Sequence, residues 1–370
     1  MIIIFSGLLL RIALTIYNIE IDTLPGADAD AGRFHEDAIL YSLYLDVTDW
    51  FVGFKWEYDV GLIYGPFLGY FYNFFGSDSM YISGLLSCFV WLLSAFVFRK
   101  IMLKIKYEKK NIDLAILIYT FLIPTSIIYT SITLREVYIL LFFNLFALSI
   151  INIYYESDIK KKFSNIIILL FTSFLLLILH EGHLYFFVIF IPLMIIYYCI
   201  NKFTINKKTL FGLLIPILFC LDYYDYGEVI FDIIKNYQLG HFHNNPDRAA
   251  YYTMHEIKNI DYGLITLFIH TFKNFFYYFV EPTIYRIDNF KDVILFCENT
   301  VRLILLYFII KKIFLKFKNK ALFIIFLTMA LLMEGIYAQG TVNWGTASRH
   351  HVPIMGIFIL LAFFPSRKLR

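Results

Sequence analysis

The stretch DADAGRFHED, residues 28–37, concentrates acids, an arginine and a histidine in an otherwise apolar chain. Asp28 and Asp30 stand two positions apart, and either carboxylate can serve as a general base or as a ligand of a divalent cation such as Mg²⁺ or Mn²⁺. His35 is the second candidate for the base. The alternative is a solvated acidic loop that leads into an amphipathic helix.

Two charged pairs can contact an anionic substrate. If a helix begins after Gly32, Arg33 and Asp37 fall four positions apart on one face. Arg135 and Glu136, in the tetrapeptide TLRE, stand between two apolar runs. Charge at a membrane edge is costly and is normally paired or functional. The alternative for the second pair is a snorkelling arginine and an acid that caps the next helix.

Histidines cluster at two further positions. HEGH places His180 and His183 one helical turn apart, without the HExxH spacing of zinc proteases, and predicts a substrate or phosphate contact. NWGTASRHHVP, residues 343–353, holds Arg349 and His350 before the last apolar run. Arginine binds phosphate in a bidentate manner and a neighbouring histidine adds donors. The alternatives are a polar turn and a basic loop.

Long apolar runs must position these residues. Hydrophobic residues make up 60% of the 370 positions and charged residues 16%, whereas soluble domains average about 25% charged. The runs predict an all-α, polytopic transmembrane bundle of about ten spans in one integral membrane domain, 1–370, with a retained first span. The predicted spans are 2–18, 79–98, 112–130, 134–154, 164–180, 183–200, 209–222, 293–310, 321–338 and 352–365.

Four ionisable residues fall inside these predicted spans, namely Arg11, Glu298, Arg302 and Glu334. Ionisable side chains at membrane depth are normally paired or functional, so we expect each to have a partner or to line a cavity. The four cysteines have neither metal nor disulfide spacing. They predict packing residues.

Basic residues predict the orientation. Twenty of the 32 Lys and Arg residues lie in five clusters, 99–110, 160–162, 201–208, 311–320 and 366–370. The clusters occupy alternate loops, so the positive-inside rule puts them and both termini in the cytoplasm. The acidic loop 19–78 and the long loop 223–292 then face outward from the plasma (inner) membrane. Two aromatic segments, 60–75 and 264–280, predict interfacial or re-entrant helices on that outer face.

The acidic first loop, an interfacial helix and the string YGPFLGYFYNFFGSDSMYISGLLSCFVWLLSAFVFRKI together resemble the GT-C superfamily of membrane glycosyltransferases. IPTSIIYTSITLRE is similar to the following spans of bacterial members that build surface polysaccharides. GTASRHHVP resembles their late outer loop, which carries an arginine before an apolar span. The resemblance covers residues 1–155 and 335–365.

This resemblance implies a reaction. GT-C enzymes take a sugar from a polyprenyl phosphate or pyrophosphate carrier and pass it to a glycan or lipid-linked acceptor on the outer face. A first-loop acid, here Asp28 or Asp30, acts as base or metal ligand in some members, while others work without a metal. Arg349, Arg135 or a bound cation would neutralise the leaving phosphate. Polymerases of oligosaccharide repeat units use a comparable arrangement.

Two other function classes compete with sugar transfer. A transporter or flippase of lipid-linked saccharide would distribute ionisable residues along a central pathway, often in two related halves. The chemistry-bearing residues of this chain instead gather on one predicted face. An acyltransferase that modifies outer polysaccharide would use HEGH as its base. Membrane lipids are partners in every case, and nucleic acid in none.

Overall fold

The computed structural model describes residues 1–24, 30–44, 63–202, 232, 264–315, 317, 319–341 and 344–365. Asp28, the predicted span 209–222 and most of the long loop 223–292 lie outside the described residues. The described part of the chain is built from helices and contains no strand. The all-α prediction is confirmed.

The helices of the first half are α1 Ile2–Glu20, α2 Asp30–Tyr44, α3 Tyr64–Phe75, α4 Met80–Ile105, α5 Lys109–Phe121, α6 Pro124–Tyr129 and α7 Glu136–Tyr155. Those of the second half are α8 Ile159–Leu179, α9 Gly182–Lys202, α10 Leu264–Val280, α11 Phe290–Ile313, α12 Lys320–Gly340, α13 Trp344–His351 and α14 Met355–Ala362. A short 3₁₀ helix, Ile284–Arg286, lies between α10 and α11.

Seven of the described helices are long and apolar enough to cross a membrane: α1, α4, α7, α8, α9, α11 and α12. Each coincides with a predicted span. The chain is therefore a helical membrane protein whose surface contacts lipid. The predicted count of about ten is not shown. The described ranges hold seven continuous candidates, the predicted span 209–222 lies outside them, and two other predicted spans are built differently.

Neither of those two segments is one continuous helix. In 112–130 the helix ends at Phe121, and Pro124 begins a new one. A residue before proline is disfavoured in the α conformation, and proline is well suited to a first helical turn. In 352–365 the chain turns over residues 352–354 before Met355 begins α14. All eight residues of α14 are buried, so this helix forms part of the core of the bundle.

The helix termini define two ends of the bundle. At the end that we call the site end, Tyr81 near the start of α4 donates a hydrogen bond to Glu20 at the end of α1. At the opposite end, which we call the lysine end, Lys104 of α4 donates to Asn152 of α7. The basic clusters 99–110, 160–162 and 311–320 all adjoin helix termini at the lysine end. This grouping agrees with the predicted alternation.

The first predicted interfacial segment, 60–75, contains α3. With twelve residues, α3 is about 18 Å long and too short to cross a bilayer. It packs on α2, where a Cβ added to Gly69 would lie 2.8 Å from the carbonyl oxygen of Ala38. A glycine is thus needed for this close approach.

The second such segment, 264–280, contains α10, which lies against α12. Gln339, near the site end of α12, accepts a hydrogen bond from Asn274 and donates one to the carbonyl of Thr271. The helix then stops at Val280, whose carbonyl accepts from Asn299 in the middle of α11. The chain returns from there to the start of α11. The helix α10 therefore ends part-way along α11, and its assignment as an interfacial or re-entrant helix stays a prediction.

Arg11 on α1 is fully buried, and it has the partners expected of an arginine at membrane depth. Its Nε donates to Thr130 Oγ1 at 2.7 Å, and its Nη1 donates to the Gly7 carbonyl at 3.1 Å. The guanidinium lies 3.5 Å from the ring centroid of Trp91, a cation–π contact. Arg11 therefore joins α1 to α4 and to the segment after α6.

Candidate functional site

Arg349 joins two carboxylates at the site end of the bundle. Its Nη1 contacts Asp30 Oδ2, and its Nε lies 3.4 Å from Glu136 Oε1. Asp30 and Arg349 are 319 positions apart in the sequence. Three of the predicted site residues are thus neighbours in space.

Helix termini hold these three side chains in place. Asp30 begins α2 and Glu136 begins α7, where the free N–H groups of a helix favour an acid. Arg349 lies in the last turn of α13, where a base is favoured. Each charge stabilises its own helix end, and the packing of the bundle brings the three ends together.

The three side chains differ in exposure: Glu136 is 3% exposed, Arg349 14% and Asp30 41%. Burial raises the pKa of Asp30, but the charges of Arg349, Arg135 and Arg33 outweigh it and hold that pKa below its usual value. Burial lowers the pKa of Arg349, while Glu136 and Asp30 raise it, with a net rise. The site therefore combines a permanent cation with an ionised carboxylate that is open to solvent.

Arg135 supplies a second guanidinium beside this cluster. Its Nη1 donates to the carbonyl of Leu179 at 3.1 Å, and its guanidinium lies 5.8 Å from the ring centroid of Phe34. It is one of the charges that lower the pKa of Asp30. Arginines arranged in this way can bind an anion that takes the place of a carboxylate.

His180, His183 and His350 gather around Tyr337. The ring centroids of His180 and His350 are 5.6 Å apart, and Tyr337 stacks on His350 at 4.5 Å. His183 Nδ1 lies 2.6 Å from the carbonyl of Leu176, which can only accept, so in the neutral ring Nε2 accepts from the Tyr337 hydroxyl at 3.1 Å. The histidines of HEGH thus lie beside His350 of α13. Sequence reasoning missed Tyr337, which no polar motif marks.

His180 is a buried, uncharged ring. Its Nδ1 accepts the N–H of Gly182 at 3.0 Å, so its own proton sits on Nε2. Burial, then the nearby Arg135 and His350, lower the pKa of His180 well below its usual value. Such a ring can donate a hydrogen bond to a substrate. It is poorly placed to be the base that an acyltransferase would need.

Three other predicted site residues lie elsewhere on α2. His35 Nδ1 is 2.8 Å from the hydroxyl of Tyr72 on α3, and burial lowers the pKa of His35. Arg33 Nε is 4.0 Å from Asp37 Oδ2, four positions along the helix, as expected. None of the three contacts Arg349 among the described hydrogen bonds and ion pairs. His35 therefore links α2 to α3 instead of adjoining Asp30.

The divalent cation at Asp28 and Asp30 stays a prediction as far as the described residues go. Among them no three His, Cys, Asp or Glu side chains are grouped as metal ligands, and Asp28 lies outside the described ranges. Asp30 is engaged by Arg349 and stands in the field of Arg135. A single carboxylate beside two arginines is a poor ligand for a doubly charged ion. No step proposed below uses a metal.

The ionisable residues predicted within the second half of the bundle are paired as well. Arg302 Nη1 lies 3.4 Å from Glu298 Oε1, and Glu334 Oε2 lies 2.8 Å from Nδ1 of His351. All four side chains are buried. They form a second polar cluster, deeper in the bundle than Arg349 and joined to it through α13.

A cavity of about 110 Å³ lies beside the start of α2. Its wall includes Thr15 and Asn18 from α1, Thr133 from the segment before α7, and Ala31, the residue after Asp30. By volume it admits several water molecules. It gives a small polar ligand access to the neighbourhood of Asp30.

Comparison of the chain with protein-family models, with curated proteins and with solved structures finds no match. The function of the site therefore has to be argued from its own geometry and from the residues described above.

Proposed function

We propose that this membrane protein is a glycosyltransferase that moves a sugar from a polyprenyl (pyro)phosphate donor to a glycan or lipid-linked acceptor, in the biosynthesis of cell-surface polysaccharide. The observation that carries the proposal is the contact of Arg349 with Asp30 and Glu136 at one end of a membrane bundle. It unites an accessible carboxylate and a guanidinium where the head group of a lipid-linked substrate would lie. The resemblance to the GT-C superfamily points the same way.

Arg349 would bind the donor phosphate. A guanidinium binds phosphate in a bidentate manner and stabilises the negative charge that grows on the leaving group in the transition state. Glu136, buried behind Arg349 at 3.4 Å, would hold the guanidinium in position. Arg135 and the Nε2–H of His180 would add donors to the same phosphate or to the sugar. Stacked on Tyr337, His350 would have a fixed ring orientation.

Asp30 would take the proton of the acceptor hydroxyl as the glycosidic bond forms. Its lowered pKa keeps it ionised at neutral pH, but also makes it a weak base while it contacts Arg349. A phosphate that displaced Asp30 from Arg349 would leave the carboxylate more basic. Binding of the donor would thereby prepare the base for the acceptor.

The proposal also assigns an orientation. The site end would face the extracytoplasmic side of the plasma (inner) membrane, with the lysine end and both chain termini in the cytoplasm. The support is the grouping of basic clusters at the lysine end, because positively charged loops are retained in the cytoplasm. Lipid-linked donor and acceptor would then meet on the outer leaflet.

The test measures transfer by the purified full chain in lipid nanodiscs. Radiolabelled polyprenyl-phosphate hexoses serve as donors and polyprenyl-pyrophosphate saccharides as acceptors. We expect new glycosidic bonds with the wild type and with Glu36→Gln, an exposed acid on the same helix, and a rate about 100-fold lower with Asp30→Asn. An Asp30→Asn rate equal to that of the wild type would overturn the assignment of the base. Products that are multiples of one repeat unit would identify the polymerase alternative.

Transport of a lipid-linked saccharide is the second candidate, and one observation favours it. The divided segments α5–α6 and α13–α14 pass close to buried ionisable residues, since the backbone N–H of Thr125 at the start of α6 donates to Glu298 at 2.9 Å. Interrupted helices beside buried charges are typical of transporters. Proteoliposomes distinguish the candidates: a fluorescent lipid-linked saccharide that changes leaflet without gaining a sugar identifies a flippase.

A further inference from the structure

A buried pair of titratable groups lies on α12 and α13, deeper in the bundle than Arg349. Glu334 Oε2 and His351 Nδ1 are 2.8 Å apart, and both side chains are at most 2% exposed. The other ring nitrogen of His351, Nε2, is 3.2 Å from the backbone oxygen of Tyr278 on α10. Neither side chain has a part in the proposed sugar transfer.

The short separation and the burial of these two side chains favour one bound proton, and among the described residues neither Glu334 Oε2 nor His351 Nδ1 has another hydrogen-bond partner. A backbone carbonyl can only accept, so His351 Nε2 carries a hydrogen. Without a further proton, an ionised carboxylate oxygen and an unprotonated ring nitrogen would lie only 2.8 Å apart in the buried interior, which is unfavourable. The proton therefore sits either on the Glu334 carboxyl or on Nδ1 of an imidazolium. Burial and Arg302 lower the pKa of His351 well below its usual value, which favours the carboxyl.

The charges around the pair balance only when this proton is present. Glu298 is compensated by Arg302, 3.4 Å away, and also accepts hydrogen bonds from the N–H and hydroxyl of Thr125 at 2.9 and 2.7 Å. The cluster thus contains one positive and one negative charge besides the Glu334–His351 pair. Loss of the shared proton would leave an uncompensated negative charge in the interior, which is strongly unfavourable.

Helices packed around the pair place charged and titratable groups beside it. The titratable and charged groups that act on it are Arg302 of α11, which interacts with both members, Tyr278 of α10, and His350 of α13 itself. Arg302 opposes a second proton on the pair, because it is already positive. The pair is therefore poised to hold one proton and not two.

The same two helices also contribute residues to the candidate site. Arg349 and His351 are two positions apart on α13, and Tyr337, which stacks on His350, is one turn from Glu334 on α12. The contact of Glu334 with His351 fastens the end of α13 to α12. A change at this contact would thus reach Arg349 through one short helix.

We propose that Glu334 and His351 form a proton-binding site within the membrane bundle, and that its protonation holds α13, and with it Arg349, in the position described here. The site takes one proton and releases one when the contact opens. This inference does not rest on the proposed sugar transfer, because it concerns a proton and the placement of a helix.

Infrared and ¹⁵N-histidine NMR spectra of the full chain in nanodiscs at pH 7.5 test for the proton directly. We expect a protonated-carboxyl band that is lost in Glu334→Gln and retained in Glu281→Gln, a buried glutamate that pairs with Arg286 and not with a histidine. An imidazolium signal that disappears in His351→Gln would equally demonstrate the bound proton. The absence of both signals from the wild type would overturn the proposal.

The pH dependence of equilibrium unfolding in mixed micelles tests the link to the fold. Above about pH 6.5 the unfolded chain has neutral histidine and ionised glutamate, so the folded pair binds one proton more, and stability must fall as pH rises. One extra proton corresponds to a tenfold change in the unfolding constant per pH unit. The amide of Glu334→Gln can donate to Nδ1 without a titrating proton, so this variant should lose the tenfold change per pH unit. Glu281→Gln should keep it. Equal slopes for wild type and Glu334→Gln would contradict the proposal.

Discussion

Arg349 contacts Asp30 although 319 positions separate them, and the contact joins the start of α2 to the end of α13. The same guanidinium lies 3.4 Å from Glu136, which is nearly inaccessible to solvent. One cation therefore serves two carboxylates of different character. Asp30 can be reached by a substrate, whereas Glu136 can only hold the arginine.

Variants of Arg349 and Glu136 should show that Arg349 affects the stability of the fold and sugar transfer in separate ways. Arg349→Gln leaves Glu136 buried without its ion-pair partner, and loss of one partner of a buried pair costs about 3–5 kcal/mol. Addition of Glu136→Gln should restore most of that stability without restoring sugar transfer. Equilibrium unfolding and the transfer assay on the two single variants and the double variant measure both effects. A double variant with wild-type transfer would exclude Arg349 as the phosphate ligand.

The ion pair of Asp30 should make stability depend on pH in the acidic range. Its pKa is lower in the folded chain than the ordinary value of about 3.9. The contribution is therefore complete above about pH 5 and is lost as pH falls through the folded pKa. Unfolding curves between about pH 5 and 2 should show the wild type losing stability more steeply than Asp30→Asn. Because Asp30 is 41% exposed, we expect a difference of less than about 1 kcal/mol.

Glu36→Gln provides the control for the acidic range, since its side chain is exposed on the same helix. It should follow the wild-type curve. If the wild type and Asp30→Asn lost stability equally as the pH falls, the ion pair with Arg349 would add nothing to stability.

His35 should prove structural instead of catalytic. Its Nδ1 lies 2.8 Å from the Tyr72 hydroxyl, and loss of one such hydrogen bond costs about 1 kcal/mol. His35→Gln should lower the free energy of unfolding by about that amount. Tyr72→Phe should lower it further, because the Tyr72 hydroxyl also donates to Ser83 Oγ at 3.0 Å, and the double variant should lose no more than Tyr72→Phe alone. Transfer should stay within about threefold of the wild type. A loss of 100-fold in His35→Gln would instead identify His35 as a base.

Close packing of α1 should make Gly7 irreplaceable. A Cβ at Gly7 would collide with Thr120 Cγ2 and lie 2.7 Å from Trp91, whereas one at Gly335 on α12 would meet nothing within 4 Å. Gly7→Ala should destabilise by about 1–3 kcal/mol through overpacking. Gly335→Ala should stabilise slightly, because alanine favours the helix. Thermal unfolding of both variants in detergent compares them, and equal midpoints would contradict the packing described.

The amino-acid sequence determined the class of the molecule and most of its spans. Apolar length and lysine alternation require no tertiary information, because a hydrocarbon core demands about twenty apolar residues of any helix that crosses it. Seven predicted spans accordingly match single helices of the structure. The hydropathy of 112–130 predicted one span and concealed the interruption before Pro124.

Only the tertiary structure decided which charged residues meet. The sequence offered both Asp30 and His35 as candidates for the base, yet helix geometry turns Asp30 toward Arg349 and His35 toward Tyr72. Tyr337 belongs to no motif, and its contact with His183 joins two separate helices. The sequence marked Glu334 and the stretch that contains His351, but not their contact with each other. Contacts between distant segments depend on how helices pack and on which buried charges find a partner. Neither is encoded in local spacing, because the cost of burying a charge is set by all the neighbours that packing brings to it.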